Sequence, residues 1–223
     1  MQMKGAIGGF YKLCDWIMKL AFINLLWIVF SILGLVVFGF FPATIAMFVV
    51  IRKMLMGDFD IPVFKTFLES FKKGFFKSNL LGLIFFILGY FLYVDIHLIK
   101  TTGGLLNLIY YPVLIICLGF VLTVCYAFPV FVHYDLKVHQ ILKSSFFIML
   151  MNPLSTILMV SGGSAVYLLM TTVPGLIPLF SGSTLSVVIM WSAFFAFSRI
   201  QRVEQAAASR AGEAVLIKRN KLK

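Results

Sequence analysis

The chain has 223 residues, 61% of them hydrophobic and only 12% charged, with a mean hydropathy of +1.04 and a formal net charge of +11. So few polar groups cannot cover the surface of a soluble domain of this length. Stretches apolar on every face, such as LLGLIFFILGYFLY, also exclude the alternating pattern of a membrane β-barrel. The basic excess points to membrane topology rather than to nucleic acid, because Lys and Arg gather in cytoplasmic loops.

Six membrane spans are expected from the gaps between charges, over residues 16–39, 42–56, 79–94, 105–132, 153–173 and 183–200. The first two share one uncharged run, residues 20–51. As a single helix that run would be about 48 Å long, against a hydrocarbon core of about 30 Å. A helical hairpin solves the mismatch. The segment FGFFP, residues 38–42, is then the expected external turn, with Pro42 in the first turn of the second helix, where its missing N–H costs nothing. Six spans put both termini on one side. With that side cytoplasmic, every Lys and Arg except Lys100 falls in the N-terminal segment, the two longer connections or the tail. No cleavable signal peptide is expected, because the first apolar segment is too long for one and lacks a small-residue cleavage site.

Two connections have helical amphipathic patterns. In the first, residues 61–77, Phe64, Phe67, Leu68, Phe71 and Phe75 share one face, while Lys65, Glu69, Lys72 and Lys73 lie opposite. In the second, residues 136–150, Val138, Ile141, Leu142, Ser145 and Met149 repeat that spacing 74 residues later. Each follows an aspartate, Asp60 or Asp135, and each precedes an asparagine at the start of the next span, Asn79 or Asn152. Two amphipathic elbow helices on the cytoplasmic side are therefore expected, either resting in the membrane interface or docking a partner. The repeat suggests a parallel duplication of helix, elbow and helix rather than an inverted transporter repeat.

No ionisable residue is expected at the centre of a span, which argues against an ion-coupled transporter and a membrane metalloprotease. No nucleotide-binding, metalloprotease or serine-hydrolase motif occurs. Cys14, Cys117 and Cys125 have no metal-ligand spacing. Cys117 and Cys125, eight residues apart on one helix, would be about 12 Å apart and cannot form a disulfide. No catalytic residue, metal or cofactor is expected. His97, His133 and His139 read as solvated interface residues. Ser161-Gly162-Gly163-Ser164-Ala165 reads as a close helix contact, and Asn24, Asn79 and Asn152 as hydrogen-bonding groups between helices. EQAAASRAGEA, from Glu204 to Ala214, superficially resembles the loop by which importer permeases contact their ATPase. It follows the last span, however, so a basic helical tail, residues 201–223, near anionic lipid is the expectation.

Together, CDWIMKLAFINLLWIVFSILGLVVFGFFPATIAMFVVIRK, GDFDIPVFKTFLESFKKGFFKSNLLG and YAFPVFVHYDLKVHQILKSSFFIMLMNP resemble the YesL-like family of bacterial multi-pass membrane proteins. The most specific part is Gly39, Pro42, Ala43 and Thr44 with Arg52. The resemblance implies a Gram-positive cell-membrane protein with a role in carbohydrate uptake, and no catalytic residues carry over. The expected architecture is an all-α integral membrane protein, a single membrane domain. The expected role is an accessory subunit of a carbohydrate ABC importer, with the lipid bilayer and the permease subunits as partners and no nucleic acid. A stand-alone uniporter or flippase is the alternative, its polar path lined by Asn24, Asn79, Asn107 and Thr123. The candidate structural and partner-contact residues are Gly39, Pro42, Thr44, Arg52, Asp60, Phe64, Phe67, Phe71, Asn79, Asp135 and Asn152.

Overall fold

The computed structural model describes residues 6–58, 60–102 and 107–220, with side chains over 9–202 except 59 and 102–107. Among the described residues there are seven α-helices and no strand. They are α1 (Ala6–Leu33), α2 (Val37–Leu55), α3 (Val63–Thr102), α4 (Asn107–His133), α5 (Val138–Met151), α6 (Pro153–Thr172) and α7 (Ile177–Asn220), with a 3₁₀ turn at Pro174–Leu176. All but α5 contain a stretch long and apolar enough to cross a membrane, so the chain is a multi-pass helical membrane protein.

The hairpin between the first two spans is present, but its corner is not FGFFP. The chain turns at Gly34-Leu35-Val36, where Leu35 and Val36 take φ of 58° and 62°. Pro42 lies inside α2 rather than in its first turn. The physical reason is the glycine pair. A Cβ on Gly39 would lie 2.5 Å from the Ser31 carbonyl oxygen and 2.7 Å from that of Phe30, and one on Gly34 would strike the Gly39 backbone. Only two glycines let the helices close directly beneath so tight a turn.

The central helix is α2. It packs against α1, α3, α4 and α7, and its face from Pro42 to Phe48 is continuously buried. Trp27 of α1 donates its indole N–H to the Thr44 hydroxyl at 3.0 Å, and Thr44 in turn donates to the Phe40 carbonyl at 2.7 Å. Asn24 ties α1 to α7. Its Oδ1 accepts from the backbone N–H groups of Gly182 and Ser183 at 3.0 and 3.1 Å, and its Nδ2 donates to the Pro178 carbonyl at 2.8 Å. Gly182 permits this approach, since a Cβ there would lie 3.0 Å from the asparagine oxygen. The small-residue patch behaves as expected at Gly162, whose absent Cβ leaves room for Val188 of α7.

The two elbows differ. Residues 61–77 do not form a separate helix; from Val63 they run without a break into the third span as the 40-residue α3, about 60 Å long. The second is a separate helix, α5, in which Gln140 Oε1 accepts from the Lys137 N–H at 3.0 Å. It ends at Asn152, and Pro153 starts α6. Proline cannot continue the hydrogen-bond ladder, whereas the residue after Asn79 is Leu80, which can. The phenylalanine face of the first elbow is partly covered by protein, with Phe67 fully buried and Phe64 half-exposed. Phe30, one turn before the α1–α2 corner, packs at a tilt against Phe64, Phe67 and Phe71, at 6.5, 5.3 and 5.1 Å between ring centres. An elbow lying flat at the opposite end of the hairpin would not reach Phe30. The expected last span, 183–200, starts earlier, at Ile177, and the tail prolongs the same helix to Asn220. The side chains of the Glu204–Ala214 segment, Gln205 apart, lie outside the described residues.

Candidate functional site

A polar recess lies between α3, the middle of α2 and the end of α4. From α3 it takes Ser70, Lys73, Gly74 and Lys77, spaced i, i+3, i+4 and i+7 and so on one helical face. Ile45 and Val49 of α2 form one wall, and the stretch from Phe131 to Asp135 at the end of α4 forms another. The recess holds about 420 Å³. Gly74 keeps it open, for a Cβ there would meet nothing nearer than Ile45 Cγ2 at 3.7 Å. At the rim Lys77 Nζ lies 3.3 Å from Asp135 Oδ1 and 5.1 Å from the centre of the Phe131 ring. Asp135 is fully exposed, so solvent screens this pair and it adds little to stability.

Behind the rim, His133 is packed rather than solvated, contrary to the expectation for it. Its ring stacks on Phe197 at 4.6 Å and meets Phe194 edge-on at 5.9 Å. Its Nδ1 is buried without a hydrogen-bond partner among the described residues, and so is Nε of Arg52, which lies within charge–charge range of it. An arginine Nε–H can only donate, so this group calls for an acceptor.

Two apolar cavities lie farther along the bundle. One, of about 550 Å³, is an open pocket lined by Trp27, Phe41, Phe48, Phe85, Phe120 and Phe128, with Thr44 and Ser186 among its few polar neighbours. The other, about 600 Å³, is a cleft between Val37, Phe38 and Phe41 of α2 and residues 79–86 of α3. The ring of Phe41 lies directly over Gly82, where any Cβ would strike it.

The candidate residues divide sharply between these places. Gly39, Pro42 and Thr44 are buried in the α1–α2 contact, and Phe67 and Phe71 meet Phe30 beside the half-exposed Phe64. Asp135 lines the polar recess, Arg52 lies within charge–charge range of His133 behind it, and Asp60 is exposed with no hydrogen bond or ion pair to any described residue. Asn79 and Asn152 do not bond between spans. Each donates to the carbonyl four residues earlier, Phe75 at 2.9 Å and Ile148 at 3.1 Å, and only Asn24 reaches another span. Nor do the described residues of the expected polar path, Asn24, Asn79 and Thr123, converge. Thr123 donates to the Gly119 carbonyl at 2.7 Å, Asn24 is held by α7, and the Asn107 side chain lies outside the described residues. Among the described residues no group of His, Cys, Asp and Glu could hold a metal ion. Sequence reasoning missed Lys73, Lys77 and His133 as neighbours. The available signal was the helical spacing of Ser70, Lys73, Gly74 and Lys77, masked by the stronger phenylalanine stripe on the same helix.

Residues 20–96, which include Asn24, the corner, Arg52, Lys73 and Lys77, match the family described as "Protein of unknown function, DUF624". The chain is 39% identical over 215 residues to "Uncharacterized protein YesL" of Bacillus subtilis (strain 168), covering 94% of this chain and 100% of that one. It is 36% identical over 202 residues to "Uncharacterized protein YteU" of the same organism, covering 91% of each chain. "Uncharacterized protein YesV", also from that organism, is 36% identical over 195 residues, 87% of this chain and 92% of its own. No solved structure matches the chain. With such identity over nearly the whole of both chains, the protein belongs to the YesL-like DUF624 family of multi-pass membrane proteins.

Proposed function

We propose that the chain is an accessory integral membrane subunit associated with a carbohydrate ABC importer in the cell membrane, and that it acts by holding a permease rather than by moving or cleaving substrate. The observation that carries this reading is how the polar groups of the spans are used. Asn24, Thr44, Asn79, Thr123 and Asn152 each bond to a backbone group or a neighbouring helix, and they line no common path. A uniporter or flippase needs such a path, because a polar solute cannot cross hydrocarbon unaided.

The exposed helices favour a subunit role. Among the described residues, α6 is anchored chiefly on α7, with Gly162 as its closest approach, while Ile157, Tyr167 and Leu168 face outward. Without a hydrophobic driving force between helices in lipid, association rests on shape and small residues, and an edge helix of this kind offers both to a second membrane protein. The role in carbohydrate uptake that the family resemblance implies supplies the class of partner.

The test is affinity capture of the tagged full chain from its native membrane after mild detergent extraction, with mass spectrometry of the captured proteins. The expected result is stoichiometric recovery of importer permease subunits. The reading falls if the permeases assemble fully without the chain, or if proteoliposomes containing this protein alone take up sugar.

A further inference from the structure

We propose that the recess formed by Ser70, Lys73, Gly74 and Lys77 binds a phosphate group, presented by an anionic phospholipid whose acyl chain lies along the α2–α3 seam. The inference does not rest on the importer reading. Its first support is charge. Two lysines line one recess, and Lys73 has no ion-pair partner among the described residues. The one carboxylate there, Asp135, sits at the rim in full solvent.

The second support is unsatisfied hydrogen bonding. His133 lines the recess, with its unpartnered Nδ1 buried behind that lining, and Arg52 Nε, also unpartnered, lies within charge–charge range of the same ring. A phosphate oxygen is an acceptor for lysine ammonium and imidazole N–H groups alike, and charge-assisted bonds of this kind are the strong ones. The third support is room, because Gly74 presents no side chain to the space its neighbours enclose.

The cleft farther along the same seam favours a lipid over free phosphate. Val37, Phe41, Ile45 and Val49 recur every four residues along one stripe of α2. The first two line the apolar cleft of about 600 Å³ and the last two line the polar recess of about 420 Å³. Polar head and apolar chain are thus provided for in one line. Under the positive-inside rule this end of the bundle faces the cytoplasm, where the leaflet carries anionic lipid.

The test uses the full chain purified in neutral detergent. Native mass spectrometry follows binding of phosphatidylglycerol, and thermal denaturation follows protection by inorganic phosphate against equal chloride. The variants are Lys73→Gln/Lys77→Gln and, outside the recess on the same helix, Lys65→Gln/Lys72→Gln; all four lysines lie on the helix surface, so neither pair threatens the fold. The expected result is phosphatidylglycerol affinity reduced about tenfold or more in the first pair and less than about threefold in the second. Asp135→Asn is expected to tighten binding by removing the competing carboxylate. Protection by inorganic phosphate with the same variant pattern, and no lipid binding, assigns the phosphate to a soluble ligand and overturns the lipid part. No binding of either probe, or equal loss in both lysine pairs, overturns the proposal.

Discussion

Replacing Gly39 by alanine adds one methyl group at the closest point of the α1–α2 contact. The added Cβ would lie 2.5 Å from the Ser31 carbonyl oxygen, 2.7 Å from that of Phe30 and 2.8 Å from Gly34 Cα. All three are backbone atoms, so no side chain can turn aside, and the helices must separate beneath a corner already held at positive φ. Overpacking of this kind costs about 1–3 kcal/mol. For a chain of this size that is a fall in Tm of about 2–12 °C. Gly74→Ala is the matched control. Its Cβ meets only Ile45 Cγ2 at 3.7 Å, ordinary contact, and alanine is the better helix former by about 1 kcal/mol. Thermal denaturation of the purified protein in detergent should therefore show opposite signs, Gly39→Ala lower and Gly74→Ala equal or higher. Equal melting temperatures for wild type and Gly39→Ala would refute both the corner at Gly34–Val36 and the role of Gly39 in closing it.

Asn24→Ala removes three hydrogen bonds between α1 and α7, each worth about 0.6–1.7 kcal/mol in membrane proteins, so a loss of about 2–5 kcal/mol is expected in unfolding measurements. Asn79→Ala, which removes only a bond within α3, should cost less than about 1 kcal/mol in the same assay. Cys14 is exposed on α1, whereas Cys117 and Cys125 are partly buried within α4. With a cytoplasmic amino terminus, an impermeant maleimide should label Cys14 only after intact cells are permeabilised, and labelling before permeabilisation would reverse the topology.

The number of spans was legible because charges are expensive in hydrocarbon, so the gaps between them mark the helices directly. Where the chain turns was less legible. Pro42 looked like a boundary, yet proline is tolerated inside membrane helices, and the real corner depends on Gly34 and Gly39 meeting across it, a contact that appears only when the helices are packed. The elbows illustrate the same limit. Their matching hydrophobic periodicity said nothing of continuity, which turned on Pro153 having Leu80 as its counterpart. Asn24, Asn79 and Asn152 are alike in sequence context, but only Asn24 faces a glycine-opened neighbour, so only it bonds to another span. The polar recess joins Lys77 to Asp135 across 58 positions, and no local pattern announces that pairing.

The proposed subunit role stands or falls on contact with an importer permease inside the bilayer. Site-specific photocrosslinking in the native membrane probes that contact, with the crosslinker placed in turn at exposed Ile157, exposed Leu168 and buried Met159 of α6. Covalent adducts to an importer permease, identified by mass spectrometry, are expected from Ile157 or Leu168 and none from Met159. Adducts to lipid alone from both exposed positions, in cells whose permeases are present and assembled, would contradict α6 as the contact; if affinity capture also recovers no permease, the subunit role itself is contradicted.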